Sequence, residues 1–217
     1  MTAPPPDARR PARLLPVTLA TFAYLGVAVV AALGRSNWEF VMYIAVVLLA
    51  GGVIAAVHRR THLSSGVLWA LSAWGLAHML GGLMPVPQSW PIAGDRRVLY
   101  SLWLVPQTLK YDQVVHAYGF GVATVLCWQG LGAIVHGPGG RLAPAAGPLL
   151  LAILAACGLG AVNELVEFAA VLLIPDTNVG GYENTGWDLV ANLVGALIAA
   201  LGIALAGGTR TGRRTES

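Results

Sequence analysis

Six runs of mostly apolar residues, each long enough to cross a bilayer, constrain this chain more than any other feature. A transmembrane helix needs about 20 such residues, with a range of about 17–25. The runs cover residues 14–33, 40–57, 67–83, 112–135, 149–174 and 187–206. They are continuous rather than alternating, which predicts helices and excludes barrel strands. Composition agrees: 11% of the 217 residues are charged, where a soluble domain carries about 25%. The expected fold is all-α, a polytopic bundle of six spans. Residues 1–13 form an N-terminal tail, 14–206 the membrane domain and 207–217 a C-terminal tail.

Charge placement sets a direction. Arg9, Arg10, Arg13, Arg59, Arg60, Arg141, Arg210, Arg213 and Arg214 fall on one side of the six spans, and Arg35, Arg96, Arg97 and Lys110 on the other. Basic residues concentrate on the cytoplasmic side of membrane proteins. Nine against four therefore predicts that both termini are cytoplasmic and that the protein resides in a bacterial cytoplasmic membrane as a multi-pass component. The first run is long for a signal-peptide core and no small-residue cleavage site follows it, so it reads as a retained first span. The net charge of +3 carries no basic patch with interleaved aromatics, so no nucleic-acid partner is expected; membrane lipids are. Cys127 and Cys157 lie inside apolar runs without ligand spacing and read as small apolar side chains. The long loop, 84–111, carries Trp90, Tyr100 and Trp103, aromatics that favour the membrane interface. It reads either as a short helix lying on the outer surface or as an ordinary ordered loop.

On this topology the polar residues within the spans collect near the outer side. Asp112 stands at the mouth of the fourth span, and His116 lies one turn, about 6 Å, deeper. Glu164 and Glu167 in "NELVEF" share a face of the fifth, Glu167 about 12 Å below its outer end. Asp188 and Asn192 in "WDLVAN" share a face of the sixth, beside Trp187. His78 in "GLAHMLGG" lies within about two turns of the outer end of the third. Four helices thus deliver polar groups to one half of the bilayer, and nothing comparable occupies the other half.

Each residue also has a structural reading. Asp112 and Asp188 would serve as helix N-caps, His78 and His116 as partners in interhelical hydrogen bonds, Asn192 as interhelical glue and Trp187 as an interfacial anchor. Glu164 and Glu167 resist such a reading, because a carboxylate deep in a span is expensive and marks a functional site by default. No span contains a Lys or Arg to pair with them. Four carboxylates in a low-dielectric pocket call for protons or a bound cation. A thiolate-free set of carboxylates and imidazoles suits Zn, Mn or non-haem Fe, or Mg and Ca where oxygens dominate. Paired carboxylate and His positions on facing helices are a general form of bundle metal site, although no HExxH motif is present. The candidate divalent-metal ligands are His78, Asp112, His116, Glu164, Glu167 and Asp188. The candidate catalytic groups are His116, Glu164 and Glu167, with Asn192 and Trp187 in support.

"HMLGG" (78–82), "YDQVVHAYGFG" (111–121), "GLGAVNELVEF" (158–168) and "TGWDLVANLVGALIAAL" (185–201) resemble, in order and spacing, the YjdF-like family of bacterial inner-membrane proteins. More distantly the pattern is similar to VanZ-like proteins, a group linked to teicoplanin resistance. The resemblance covers about residues 75–205 and matches Asp112, His116, Gly119, Glu164, Glu167, Trp187 and Asp188. It departs after "HMLGG", where the family often has a second His and this chain has Leu83. It implies a membrane protein of the cell envelope and the position of a site, and leaves the reaction open. Three functions fit the residues. One is a membrane protein whose outer-leaflet site acts on a lipid head group or envelope precursor. Another is a small ion- or proton-coupled transporter, since Asp, Glu and His chains also relay protons. The third is a structural protein with a non-catalytic polar core. No G-x-S-x-G nucleophile is present, so any chemistry would activate water.

Overall fold

The computed structural model describes residues 12–214, with side chains as far as Gly207. Six helices carry the chain: α1 (Leu14–Gly34), α2 (Trp38–Thr61), α3 (Ser65–Leu83), α4 (Tyr111–His136), α5 (Ala146–Leu173) and α6 (Tyr182–Arg214). All six are long and apolar enough to cross a membrane, so the architecture is the expected all-α six-span bundle. Their outward faces carry large apolar side chains such as Val30, Leu49, Ile134, Leu173 and Leu201, a surface suited to lipid rather than water.

Local chemistry sets the helix ends. The Asn37 side chain accepts from the Phe40 N–H at 3.2 Å and so caps α2. The α2 C-terminus closes on His62 in the left-handed region, φ 53°, with its N–H on the His58 carbonyl. Ser64 then caps α3 through the Val67 N–H at 3.3 Å. Every helix differs by one or more residues from its apolar run, and α2 and α6 continue into polar residues that a hydropathy criterion leaves out. Helix α2 starts at Trp38 and so includes Glu39. Helix α6 starts at Tyr182, five residues before Trp187, and runs to Arg214, into the stretch read as a C-terminal tail.

Residues 84–110 do not form a surface α-helix. The segment has a 3-10 turn over Leu99–Ser101 and a small antiparallel hairpin of β1 (Trp103–Val105) and β2 (Leu109–Lys110). Bridges join Pro85 to Val98 and Ile92 to Leu102. Pro85, Pro87, Pro91 and Pro106 each lack the N–H that a continuing helix would need. The segment instead satisfies its backbone through pairs such as Ala93 N–H to Ser101 O at 2.7 Å and Trp103 N–H to Pro91 O at 3.0 Å.

The closest helix contact lies between α4 and α6. A Cβ at Gly195 would overlap the Ala117 carbonyl, and one at Gly121 would come within 3.1 Å of the Gly195 oxygen. These two glycines let the backbones approach as small residues do in membrane bundles. On α3, Trp74 lies flat enough against α4 that a Cβ at Gly119 would overlap its indole. Helix α5 joins the same group through its Ala152, Ala156, Gly160 and Glu164 face, which is buried, while Leu165, Phe168 and Leu172 face outward.

Candidate functional site

The end of the bundle where α4 and α6 begin and α3 and α5 finish holds the polar cluster. Along α6, Asp188, Ala191, Asn192, Gly195, Ala196 and Ala200 form the buried stripe, so the close contact at Gly195 also presses Asp188 and Asn192 onto α4. Asp188 is 0% exposed, Asn192 1%, His116 4% and Glu164 9%. Gly160 on α5 makes room for the Asn192 amide, since a Cβ there would lie 2.7 Å from Nδ2.

His116 is the centre. Its Nδ1 lies 3.1 Å from Asn192 Oδ1. A carbonyl oxygen can only accept, so Nδ1 carries the proton in this arrangement and the lone pair of the neutral ring sits on Nε2. Nε2 faces Asp112 Oδ1 at 3.7 Å and Glu167 Oε1 at 3.9 Å, and Glu164 Oε1 lies 3.8 Å from Nδ1. Two sets of side chains, Asp112–His116–Asp188 and His116–Glu164–Glu167, have ligand atoms within 4.8 Å of one another. The carboxylates are only partly satisfied. Asn163 Nδ2 donates to Glu167 Oε1 at 3.0 Å and Asn184 Nδ2 to Asp188 Oδ2 at 2.5 Å. Both oxygens of Glu164, Asp188 Oδ1 and Asn192 Nδ2 are buried without a hydrogen-bond partner.

Lys110 is the one cation at the cluster among the described residues. Its Nζ donates to Asn184 Oδ1 and lies 3.8 Å from Asp112 Oδ2. One ammonium faces four carboxylates, which leaves a formal deficit of three positive charges when His116 is neutral. Metal–ligand bonds of about 2.0–2.2 Å place neighbouring ligand atoms about 2.8–3.6 Å apart in octahedral or tetrahedral geometry. The 3.7–3.9 Å separations around His116, two from Nε2 and one from Nδ1, are a few tenths of an ångström longer. They are too long for direct hydrogen bonds. The grouped carboxylates and imidazole are residue types that could hold a metal ion.

Above the cluster lies an open cavity of about 500 Å³, lined by His78, Tyr43, Asp112, Glu167, Lys110 and Asn184 among others. His78 reaches this cavity but belongs to neither ligand set. Tyr100 hydrogen-bonds its Nδ1, and Phe40 and Tyr43 pack beside its ring. Burial, then the nearby charges of Asp112 and Glu167, hold the Tyr100 phenol well above its ordinary value, so it remains a neutral hydroxyl against His78. Trp187 is 54% exposed on the outer side of α6 and takes no part in the cluster.

The capping readings of the two aspartates do not hold. Lys110 is the N-cap of α4, where its N–H donates to Gln113 Oε1 at 2.8 Å, and Asp112 sits inside the first turn. Asp188 lies well inside α6, which begins at Tyr182. Three residues were missed. Glu39, 3% exposed, accepts the Asn178 N–H at 2.8 Å and lines the cavity. Asn163 and Asn184 orient Glu167 and Asp188. The i,i+4 spacing of Asn163 to Glu167 and of Asn184 to Asp188 was the signal that could have found the asparagines.

Replacing Asp112 by Asn is expected to have a graded effect. It keeps an oxygen near His116 and removes the charge that faces Lys110. Any cation held there should bind more weakly, and His116→Ala, which removes the group common to both sets, should cost far more. Equal losses in a direct titration of the two variants would refute this ranking.

The family match covers residues 13–207. The chain belongs to the family described as Predicted membrane protein (DUF2238). No curated protein and no solved structure matches it. The DUF2238 match takes in all six spans and every member of the polar cluster.

Proposed function

We propose that this DUF2238 protein binds one divalent cation at the His116 cluster. We further propose that the cation receives the phosphate of a lipid head group or envelope precursor at the outer face of a bacterial cytoplasmic membrane. The observation that carries the reading is a set of buried carboxylate oxygens that accept no hydrogen bond. Glu164 and Asp188 offer three oxygens without a donor in a site with one lysine. An unpaired buried charge costs several kcal/mol, and a divalent ion bound between the helices offsets it. An acid-lined cavity repels a bare phosphate; a cation at its base reverses that preference. Four carboxylates and one imidazole suit Mg²⁺ or Mn²⁺, with Zn²⁺ also compatible. Next to such an ion, a carboxylate oxygen of Glu167 would act as the base that takes a proton from water, with His116 held as a ligand.

Elemental analysis of the protein purified without added metal, then after equilibration with Mn²⁺, tests the site. About one ion per chain is expected, and a metal-free wild type after equilibration would overturn the reading. Orientation has its own test. The nine-to-four basic bias predicts cytoplasmic termini, so an alkaline phosphatase fusion at the C-terminus should be inactive. Robust phosphatase activity there would turn the site to the cytoplasmic side.

A further inference from the structure

We propose that Glu39 forms an ammonium subsite in the polar cavity, so that the bound molecule is a phosphoester carrying an amine, of the phosphoethanolamine class. This rests on the cation-bridged reading above and names the kind of head group that site takes. Glu39, Asp95, Asp112, Glu167 and Asp176 bring five carboxylates to the cavity wall, and Arg96 and Lys110 bring two cations. Arg96 pairs with Asp176, and Lys110 Nζ lies 3.8 Å from Asp112. The ion at the His116 cluster takes up Glu167, and Asp95 is exposed to water. Glu39 remains. It is 3% exposed, and it forms no ion pair among the described residues. Arg96 and Asp176 act on it through space with opposite sign, so their pair offers little net counter-charge. A buried charge left unpaired costs several kcal/mol. Here it faces a cavity whose occupant can supply the missing cation.

The structural duties of Glu39 do not account for its charge. It lies in the first turn of α2, where an acid suits the helix dipole, and its Oε2 accepts the Asn178 N–H at 2.8 Å. Asn37 already caps that helix, and an amide oxygen would accept the Asn178 N–H as well as a carboxylate does. Neither duty needs a negative charge buried at a cavity wall. The surroundings suit an ammonium. Tyr43, one turn or about 6 Å further along α2, interacts with both Glu39 and Glu167, so a single tyrosine links the two acidic stations. Tyr43 and Tyr100 both line the cavity, and aromatic rings attract an ammonium. The cavity volume of about 500 Å³ falls in the range of about 300–1,000 Å³ of small-molecule sites. One amino-alcohol phosphoester would reach both stations, its phosphate on the ion beside Glu167 and its ammonium on Glu39. Charge balance favours it over an amine-free phosphodiester. Five carboxylates against two cations and a divalent ion leave the wall one charge negative; a zwitterion adds nothing to that deficit, and an anion deepens it.

The experiment titrates the purified full chain, equilibrated with Mn²⁺, with two soluble probes that differ in the amine: glycerophosphoethanolamine and glycerophosphoglycerol. Calorimetry should show the amine probe binding about 10-fold tighter or more, as a hydrogen bond to a charged group contributes. Glu39→Gln keeps an acceptor for Asn178 and removes the charge. It should abolish the preference by weakening the amine probe alone, with metal content and the amine-free probe unchanged. A merely structural Glu39 would weaken both probes together, and that result overturns the proposal. Equal affinities in the wild type, binding of neither probe, or a preference that survives Glu39→Gln overturn it too. The source of the amine is read by repeating the titration in lipid nanodiscs. Phosphatidylethanolamine discs should suppress probe binding where phosphatidylglycerol discs do not; equal binding in the two assigns the subsite to a free amine phosphoester. A wild type that binds no metal refutes the cation site itself; bound metal with equal probe affinities refutes this inference alone.

Discussion

Asp188→Ala and His116→Ala are each expected to strip the cation from the purified protein, lowering its affinity by at least about 100-fold, beyond the 10–100-fold that outer partners cost. Asp188 is fully buried with one oxygen unpartnered, and no other carboxylate on α6 among the described residues reaches His116. His116 belongs to both ligand sets, so its loss removes the group common to them. Glu164→Gln should follow the same course, since an amide keeps the shape and loses the charge. Membrane insertion and helix content should survive in all three, because the removed groups sit within spans that remain strongly apolar. A structural polar core predicts the opposite pattern: unchanged metal content with a lower unfolding temperature. Metal titration beside thermal unfolding separates the two, and wild-type affinity in His116→Ala would end the functional reading of "YDQVVH".

The second large effect concerns α4 and α6. Gly195→Ala should destabilise the protein by about 3 kcal/mol, the upper end for overpacking. The new Cβ would overlap the Ala117 carbonyl, and backbone cannot rotate away as a side chain can. Separation of the helices would also draw Asp188 and Asn192 off His116, so cation affinity should fall although Gly195 touches no ligand. Gly51→Ala makes the contrast. Its Cβ meets nothing within 4 Å, and Ala in a helix interior is favoured over Gly by about 0.5–1 kcal/mol. Denaturation of the two variants in the same detergent should therefore give shifts of opposite sign. Similar shifts would mean that the α4–α6 contact is looser than its geometry.

Length and hydropathy alone determined the six helices, because burial of backbone polar groups in lipid leaves a chain no other spanning form at those runs. The i,i+3 and i,i+4 spacing of Glu164 with Glu167, of Asp112 with His116 and of Asp188 with Asn192 determined which polar groups share a face, since helix geometry is local. What each face meets was not legible. The Asn192 contact to His116 depends on Gly160, Gly195 and Gly121, whose role exists only once two backbones approach. Glu39 escaped notice because an apolar run gives no sign of how far its helix extends into polar sequence. His78 shares the depth of the cluster, yet Tyr100, brought over it by a proline-rich segment, occupies its Nδ1. Which carboxylate oxygens accept a hydrogen bond was likewise not legible, because Asn163 and Asn184 each bond one oxygen of Glu167 and Asp188 while the Glu164 oxygens and Asp188 Oδ1 are buried without one. Helix periodicity records which residues point together; only packing between helices assigns them neighbours.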